Sequence, residues 1–193
     1  MSEVATARMG EIRRAALELF TQHGYEATTM TDIGSSVGIR GPSLYKHVTS
    51  KQELLVQIMA ATMDALLAEH ARAIAGTTDT TERLRRAVEA HVRYHARNRL
   101  EAFVGNREIR SLMEPHRSTV LAQRAEYELK FRTLINDGVA AGRFDVTSPR
   151  LASYAILDLG MGVATWFRED GELSENEIAW QYVEFALRLV GAA

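Results

Sequence analysis

The chain has 193 residues, 46% hydrophobic and 25% charged, with 3 prolines. That is enough apolar material for one large domain or a small one fused to a larger one, and it excludes a disordered chain. Cysteine is absent, which excludes disulfides, zinc–thiolate sites and iron–sulfur clusters and suits a reducing cytoplasm. The net charge of −2 looks wrong for a nucleic-acid partner until it is located. Between Ile39 and Lys51 the charged residues are Arg40, Lys46 and Lys51, so this stretch carries +3 and the remainder −5. A basic island in an acidic protein is an electrostatic footprint for a polyanion. The start, Met1 to Arg8, lacks the basic and apolar runs of a signal peptide, and no run of about 18 apolar residues is evident, so a cytoplasmic protein with no membrane partner is expected.

Helical periodicity dominates and strand-like alternation is missing, which predicts an all-α fold of about nine helices. The first carries Ile12, Ala16, Leu19 and Phe20 on one face and stops at Gly24. Thr31 is expected to cap a short helix with Ile33 and Val37 that stops at Gly38, and Pro42 to open a third helix carrying Leu44, Tyr45 and Val48. Ser50 and Glu53 read as a capping box for a long helix reaching about Ile74. After a polar loop from Gly76 to Thr81, helices follow near Glu82–Arg97, Leu100–Met113 and Arg117–Ala141, the last stopped by Gly142. Ser148-Pro149 opens another, and Ser174 with Glu177 boxes the last.

The stretch Thr31–Val48 has the layout of a helix-turn-helix: Ile33, Val37, Ile39 and Leu44 would pack two short helices, leaving Arg40, Ser43, Tyr45, Lys46 and His47 for a DNA groove and its phosphates. From about Ile12 to Met59 the residues resemble the TetR family of bacterial repressors. Ala15 to Phe20 match its alanine-rich first helix ending in phenylalanine, and Gly24-Tyr25 its glycine-tyrosine turn. Thr29, Thr31, Ile33, Leu44-Tyr45, His47 and Ser50-Lys51 follow in the family's order. Gly34 and Val37 stand where alanine is usual, and Val48 where phenylalanine is. Gly34 should weaken its helix by about 1 kcal/mol relative to alanine. The resemblance implies phosphate contacts from Thr31, Tyr45, His47 and Lys51, base or phosphate contacts from Arg40, Ser43 and Lys46, and Thr29 and Pro42 in the same surface. A reader domain over residues 1–52 and a dimerisation and effector domain over 53–193 follow from it.

In the larger domain the helix after Ser148 is apolar almost all round, so it needs cover from two directions. A partner copy would cover Tyr154, Leu159, Gly162 and Val163 here and Tyr182, Phe185 and Leu189 on the last helix, giving a homodimer. Tyr94, Phe103, Met113, Tyr127, Phe131, Met161, Thr165 and Trp166 suit an adaptable apolar pocket, with Arg107 and Arg110, in an arginine-rich stretch, available to an anionic effector group. Trp166 to Ser174 is similar to a segment of repressors of lipid breakdown that respond to acyl-CoA thioesters. His91 and His95 lie four apart, but no third metal ligand is identifiable, so no metal and no cofactor is expected. Gly160-Met161-Gly162 follows no strand and is no nucleotide loop, and no nucleophile elbow or isolated carboxylate pair suggests an enzyme. The expectation is a ligand-responsive repressor on a palindromic operator, with a helical adaptor acting through protein contacts as the alternative.

Overall fold

The computed structural model describes residues 3–39 and 41–192, with side chains from residue 7 onward except those of 41 and 42. Arg40, expected at the DNA surface, and the side chain of Pro42 lie outside the described residues. Among the described residues the fold is all-helical: α1 Glu3–His23, α2 Met30–Ser36, α3 Gly41–Leu44, α4 Lys51–Ile74, α5 Thr80–Arg97, α6 Arg99–Arg107, a 3-10 turn Ile109–Ser111, α7 His116–Ala140, α8 Pro149–Trp166 and α9 Glu175–Leu189. Most ends are set by the residues that chemistry favours there. Gly24, at φ +83°, follows α1. The Asp79 carboxylate caps α5, Ser148 caps α8 ahead of Pro149, and Ser174 with Glu177 forms the predicted capping box on α9.

Several predicted caps are different. Thr29, not Thr31, is the N-cap of α2, in a reciprocal box with Asp32. Before α4, Ser50 accepts from the Glu53 amide at 3.0 Å, but the Glu53 carboxylate returns to Thr49, at 2.7 Å to both its amide and its hydroxyl. The third helix is one turn only: after Leu44 the chain continues as turn, placing Tyr45, Lys46 and His47 beyond it.

The chain packs as two compact units, and neither is contiguous. The first comprises residues 1–62 and 100–121, the second 63–99 and 122–193. The expected division after residue 52 is therefore not the one along which the chain packs. The reason is apolar: Leu54, Leu55, Ile58 and Met59 of α4, together with Val104, Leu112 and Val120, are buried with Ile12, Phe20, Ile33 and Leu44. By length and composition α4 is apolar enough to cross a membrane, an exception to the expectation that no such segment exists. Its apolar residues serve protein cores instead, the early ones in the first unit and Met63 and Leu66 in the second.

In the second unit α5 packs against α8 and α9 around Leu84, Val92, Phe131, Ile135, Val163 and Val183. The Glu175 carboxylate at the start of α9 ties down Arg93 at 2.7 Å and Arg97 at 2.7 and 2.9 Å, a network that holds Glu175 below the usual carboxylate range. Arg99 donates to the Ala164 carbonyl at 3.1 Å. Much of the arginine-rich stretch is thus engaged within the fold.

The same core buries three histidines, His70, His91 and His95. Burial pushes His70 and His91 from 6.5 down to about 4 and His95 to about 2. Unfolded imidazoles take up protons near pH 6.5 while the folded ones resist, so stability is complete above that pH and falls as pH drops towards 4. We expect an unfolding free energy that is level above pH 7 and falls between pH 6.5 and 4 by roughly 1.4 kcal/mol per pH unit for each histidine still neutral, with the thermal midpoint falling alongside it. A level midpoint across that window contradicts this burial.

Candidate nucleic-acid interface

Ile33 and Leu44 are fully buried and Val37 and Ile39 partly so, which joins α2 to α3 as the sequence predicts. The turn between them closes through the Ile39 amide, which donates to the Gly34 carbonyl at 2.8 Å. The return is so tight that a Cβ on Gly34 would lie 2.8 Å from the Ile39 carbonyl oxygen. Glycine is required here by space, and its intrinsic helix cost is the lesser term.

Packing the apolar side inward leaves Thr31, Ser43, Tyr45 and Lys46 exposed and His47 half-buried on the other side. Tyr45 is 56% exposed, so it is not a core aromatic. Hydroxyls, an ammonium and an imidazole on one surface are donors suited to phosphate oxygens and base edges.

Two predicted contact residues have their donors engaged within the unit. The Lys51 ammonium donates to the carbonyls of Tyr25, Thr28 and Glu26 at 2.6, 2.8 and 3.2 Å and lies 4.3 Å from the centre of the Tyr25 ring. An ammonium has three donors, and these are in use. The Thr29 hydroxyl and amide both donate to Asp32, at 2.7 and 2.8 Å, which lowers the Asp32 carboxylate below its ordinary range. Lys51 ties down the turn that leads into α2, and Thr29, exposed at the start of that helix, is held by Asp32.

Sequence reasoning missed what holds that approach from the other side. Glu108, at the end of α6, is buried and accepts from the Tyr25 amide at 3.3 Å and the Ser111 hydroxyl at 3.0 Å. The Tyr25 hydroxyl meets the Gln52 side chain at 3.2 Å. With its amide oriented to satisfy both neighbours, Gln52 also donates to the Ser111 carbonyl at 3.1 Å and accepts from the Met113 amide at 3.2 Å. The only hint in the sequence was a glutamate at a helix end, which ordinarily reads as solvated.

The predicted effector residues do not come together in one unit. Phe103, Arg107, Arg110 and Met113 belong to the first, while Tyr94, Tyr127, Phe131, Met161, Thr165 and Trp166 belong to the second. Arg107 is exposed and stacks 5.5 Å from the Phe103 ring, Arg110 is exposed, and Met113 is 63% exposed, so none of these lines an interior. Helix α6 turns its apolar side to the first unit's core through Ala102 and Val104. Tyr127 and Phe131 are buried in the second unit, and Tyr94 packs against them from its edge. Thr165 and Trp166 are exposed, and Trp166 lies 6.4 Å from Tyr182 in an aromatic surface patch.

Most of the predicted pairing residues are at the surface as well, two of them in this patch. Tyr154, Leu159, Phe185 and Leu189 are exposed and Gly162 and Tyr182 half-buried, with Tyr182 5.8 Å from Phe185. Val163 is the exception: it is fully buried in the unit's own core, because the helical repeat places it with Ile156 and Gly160 on the inward face of α8.

Comparison with known proteins gives one picture. The family model described as bacterial regulatory proteins of the tetR family matches residues 12–58, and that of a tetracyclin repressor-like C-terminal domain matches residues 77–190. The transcriptional repressor KstR2 of Mycobacterium tuberculosis is 26% identical over 186 residues, covering 94% of this chain and 92% of KstR2. A tetR-family regulatory protein from Rhodococcus RHA1 is 35% identical over the whole of both chains, with a TM-score of 0.91. AibR, solved with isovaleryl coenzyme A and operator DNA, shares the fold at 22% identity and a TM-score of 0.85, over 96% of this chain and all of AibR's.

The tight turn makes its own prediction. Helix propensity alone credits Gly34→Ala with about 1 kcal/mol of stabilisation, but the Cβ has to displace a backbone carbonyl. We expect the thermal midpoint to fall by several degrees; a rise would show that the turn yields.

Proposed function

Because this chain belongs to the TetR family of bacterial regulatory proteins, we propose that it is a ligand-responsive repressor that binds a palindromic operator as a homodimer in the cytoplasm and releases it on binding a hydrophobic or acyl-CoA-type effector. Its work is regulation of transcription rather than catalysis, as in its relatives. The observation that carries the reading is the separation of faces on the helix-turn-helix: an apolar side locked by Ile33 and Leu44, and an outer side of Thr31, Ser43, Tyr45, Lys46 and His47. These five are the proposed contact residues, with Lys51 and Thr29 as the residues that place them.

Two copies of the reader have to enter successive major grooves about 34–36 Å apart, or a multiple of that. The aromatic patch on α8 and α9 supplies the pairing surface, since an exposed apolar patch of this kind is unfavourable in water and a two-fold axis would set it against its own copy. The effector acts from the second unit. Helix α4 runs from one unit into the other, so an effector that prefers one arrangement of the second unit can shift the spacing of the readers to the extent of that preference. AibR's structure holds both a coenzyme A thioester and operator DNA, which supports an acyl-CoA-type effector for this chain. The proposed functional division is a reader up to about residue 52 and a pairing and sensing part beyond it, with residues 100–121 packed into the reader's unit.

The direct experiment is a gel-shift titration against the DNA upstream of the protein's own gene and its neighbours, with a compound panel that includes acyl-CoA thioesters. Specific binding released by one compound is expected; absence of binding at every promoter favours the adaptor. The salt dependence separates the two lysines. Lys46→Ala should flatten the log–log slope by about 0.9, the share of one phosphate contact, whereas Lys51→Gln should weaken binding with the slope unchanged. A flattened slope in Lys51→Gln returns Lys51 to the phosphates. For pairing, Phe185→Glu should sediment as a folded monomer with little operator affinity, and a persistent dimer would move the interface elsewhere.

A further inference from the structure

Within the second unit, α4, α5 and α7 bring His70, His91, His95, Tyr127 and Phe131 to one place. Ring centroids of His70 and His91 lie 5.2 and 5.7 Å from that of Phe131, and those of His91 and His95 are 4.5 Å apart. His91 is fully satisfied. Its Nε2 faces the Leu157 carbonyl at 3.0 Å, which can only accept, so Nε2 carries the proton and Nδ1 accepts from the Tyr127 hydroxyl at 3.1 Å. Gly160 makes room for this ring: a Cβ there would lie 2.3 Å from it.

The other two histidines are not satisfied. Each is only 4% exposed, yet among the described residues His70 Nε2 and His95 Nδ1 have no hydrogen-bond partner. A buried ring nitrogen without a partner is destabilising, and leucine would serve the packing better. Two such nitrogens in one aromatic cluster are groups waiting for a partner that the chain does not supply.

We infer that His70 and His95 form a recognition site for an uncharged oxygen function, a carbonyl or hydroxyl, carried on an apolar skeleton. The inference rests on the reading of the second unit as effector-binding and names the chemistry of what enters it. A carbonyl or hydroxyl can accept from a ring nitrogen that carries its proton, and a hydroxyl can also donate to one that does not. A carboxylate would lose its hydration without gaining a cation from the imidazoles, which are neutral. Two cations that act on His70, Lys130 and Arg83, face Glu126 at 3.8 Å and Asp137 at 3.5 Å. No group of three metal-ligating side chains occurs among the described residues. For an acyl-CoA-type effector, this places an oxygen function in the buried acyl part.

The test reads the nitrogens directly. Imidazole ¹⁵N spectra of the full-length protein are titrated with millimolar cyclohexanone, cyclohexanol or cyclohexanecarboxylate. The two uncharged fragments should move His70 Nε2 and His95 Nδ1 and leave the His91 nitrogens nearly in place, and the carboxylate should move none. His95→Leu should raise the thermal midpoint of the ligand-free protein and weaken cyclohexanone binding about tenfold, while His95→Gln should retain binding. Nitrogens that neither uncharged fragment moves, or that the carboxylate moves as strongly, overturn the inference. That holds whether or not a compound in the gel-shift panel releases the operator, so failure of this site and failure of the effector reading are told apart.

Discussion

Between α1 and α2 the chain turns with the carbonyls of Tyr25, Glu26 and Thr28 converging on one point, and the Lys51 ammonium fills it. Such convergence leaves carbonyl oxygens with no partner in either helix, and a cation is the strongest donor that can satisfy several at once. The Tyr25 ring beneath the ammonium and the Glu108 carboxylate on the Tyr25 amide complete the arrangement. Three distant parts of the sequence meet there: the turn that leads into the DNA-reading helices, the start of α4 and the end of α6. The direction in which α2 leaves, and with it the position of Tyr45 and Lys46, depends on this one cluster.

The second unit is built on a different compromise. Its helices bury histidines that burial keeps neutral, with two ring nitrogens unpaired. A core selected only for stability would hold apolar residues at these positions. Binding sites are where such local costs are expected, and His91 and His95 lie within the stretch matched by the family's C-terminal domain. The chain passes between the units along α4, again at the start of α6, and along α7. A change of state in the second unit therefore has covalent routes to the reader.

What could be read in the sequence was what local chemistry decides. Gly24, Ser148-Pro149 and Ser174-Glu177 set helix ends where expected, and Ile33 with Leu44 fixed the inward face of the reader. What could not be read depends on contacts far apart in the chain. Lys51 looked like a phosphate ligand because an ammonium in a basic stretch ordinarily faces solvent, and nothing local reveals three carbonyls from residues about 25 positions earlier. Met113 and Phe103 looked like pocket residues because apolar periodicity does not say which core a helix joins. Val163 was separated from its true neighbours by one helical step, the resolution limit of a periodicity argument on a helix apolar all round.

The central claim is that the reader and the segment 100–113 form one cooperative unit joined at Tyr25. Native-state hydrogen exchange of the Tyr25 amide and the α6 amides, in the wild-type protein and in Glu108→Ala, tests it most directly. The account predicts that these amides open together with a common free energy and lose protection together in the variant. Tyr25 protection unchanged by Glu108→Ala, with α6 exchanging alongside the helices of the second unit, would contradict it.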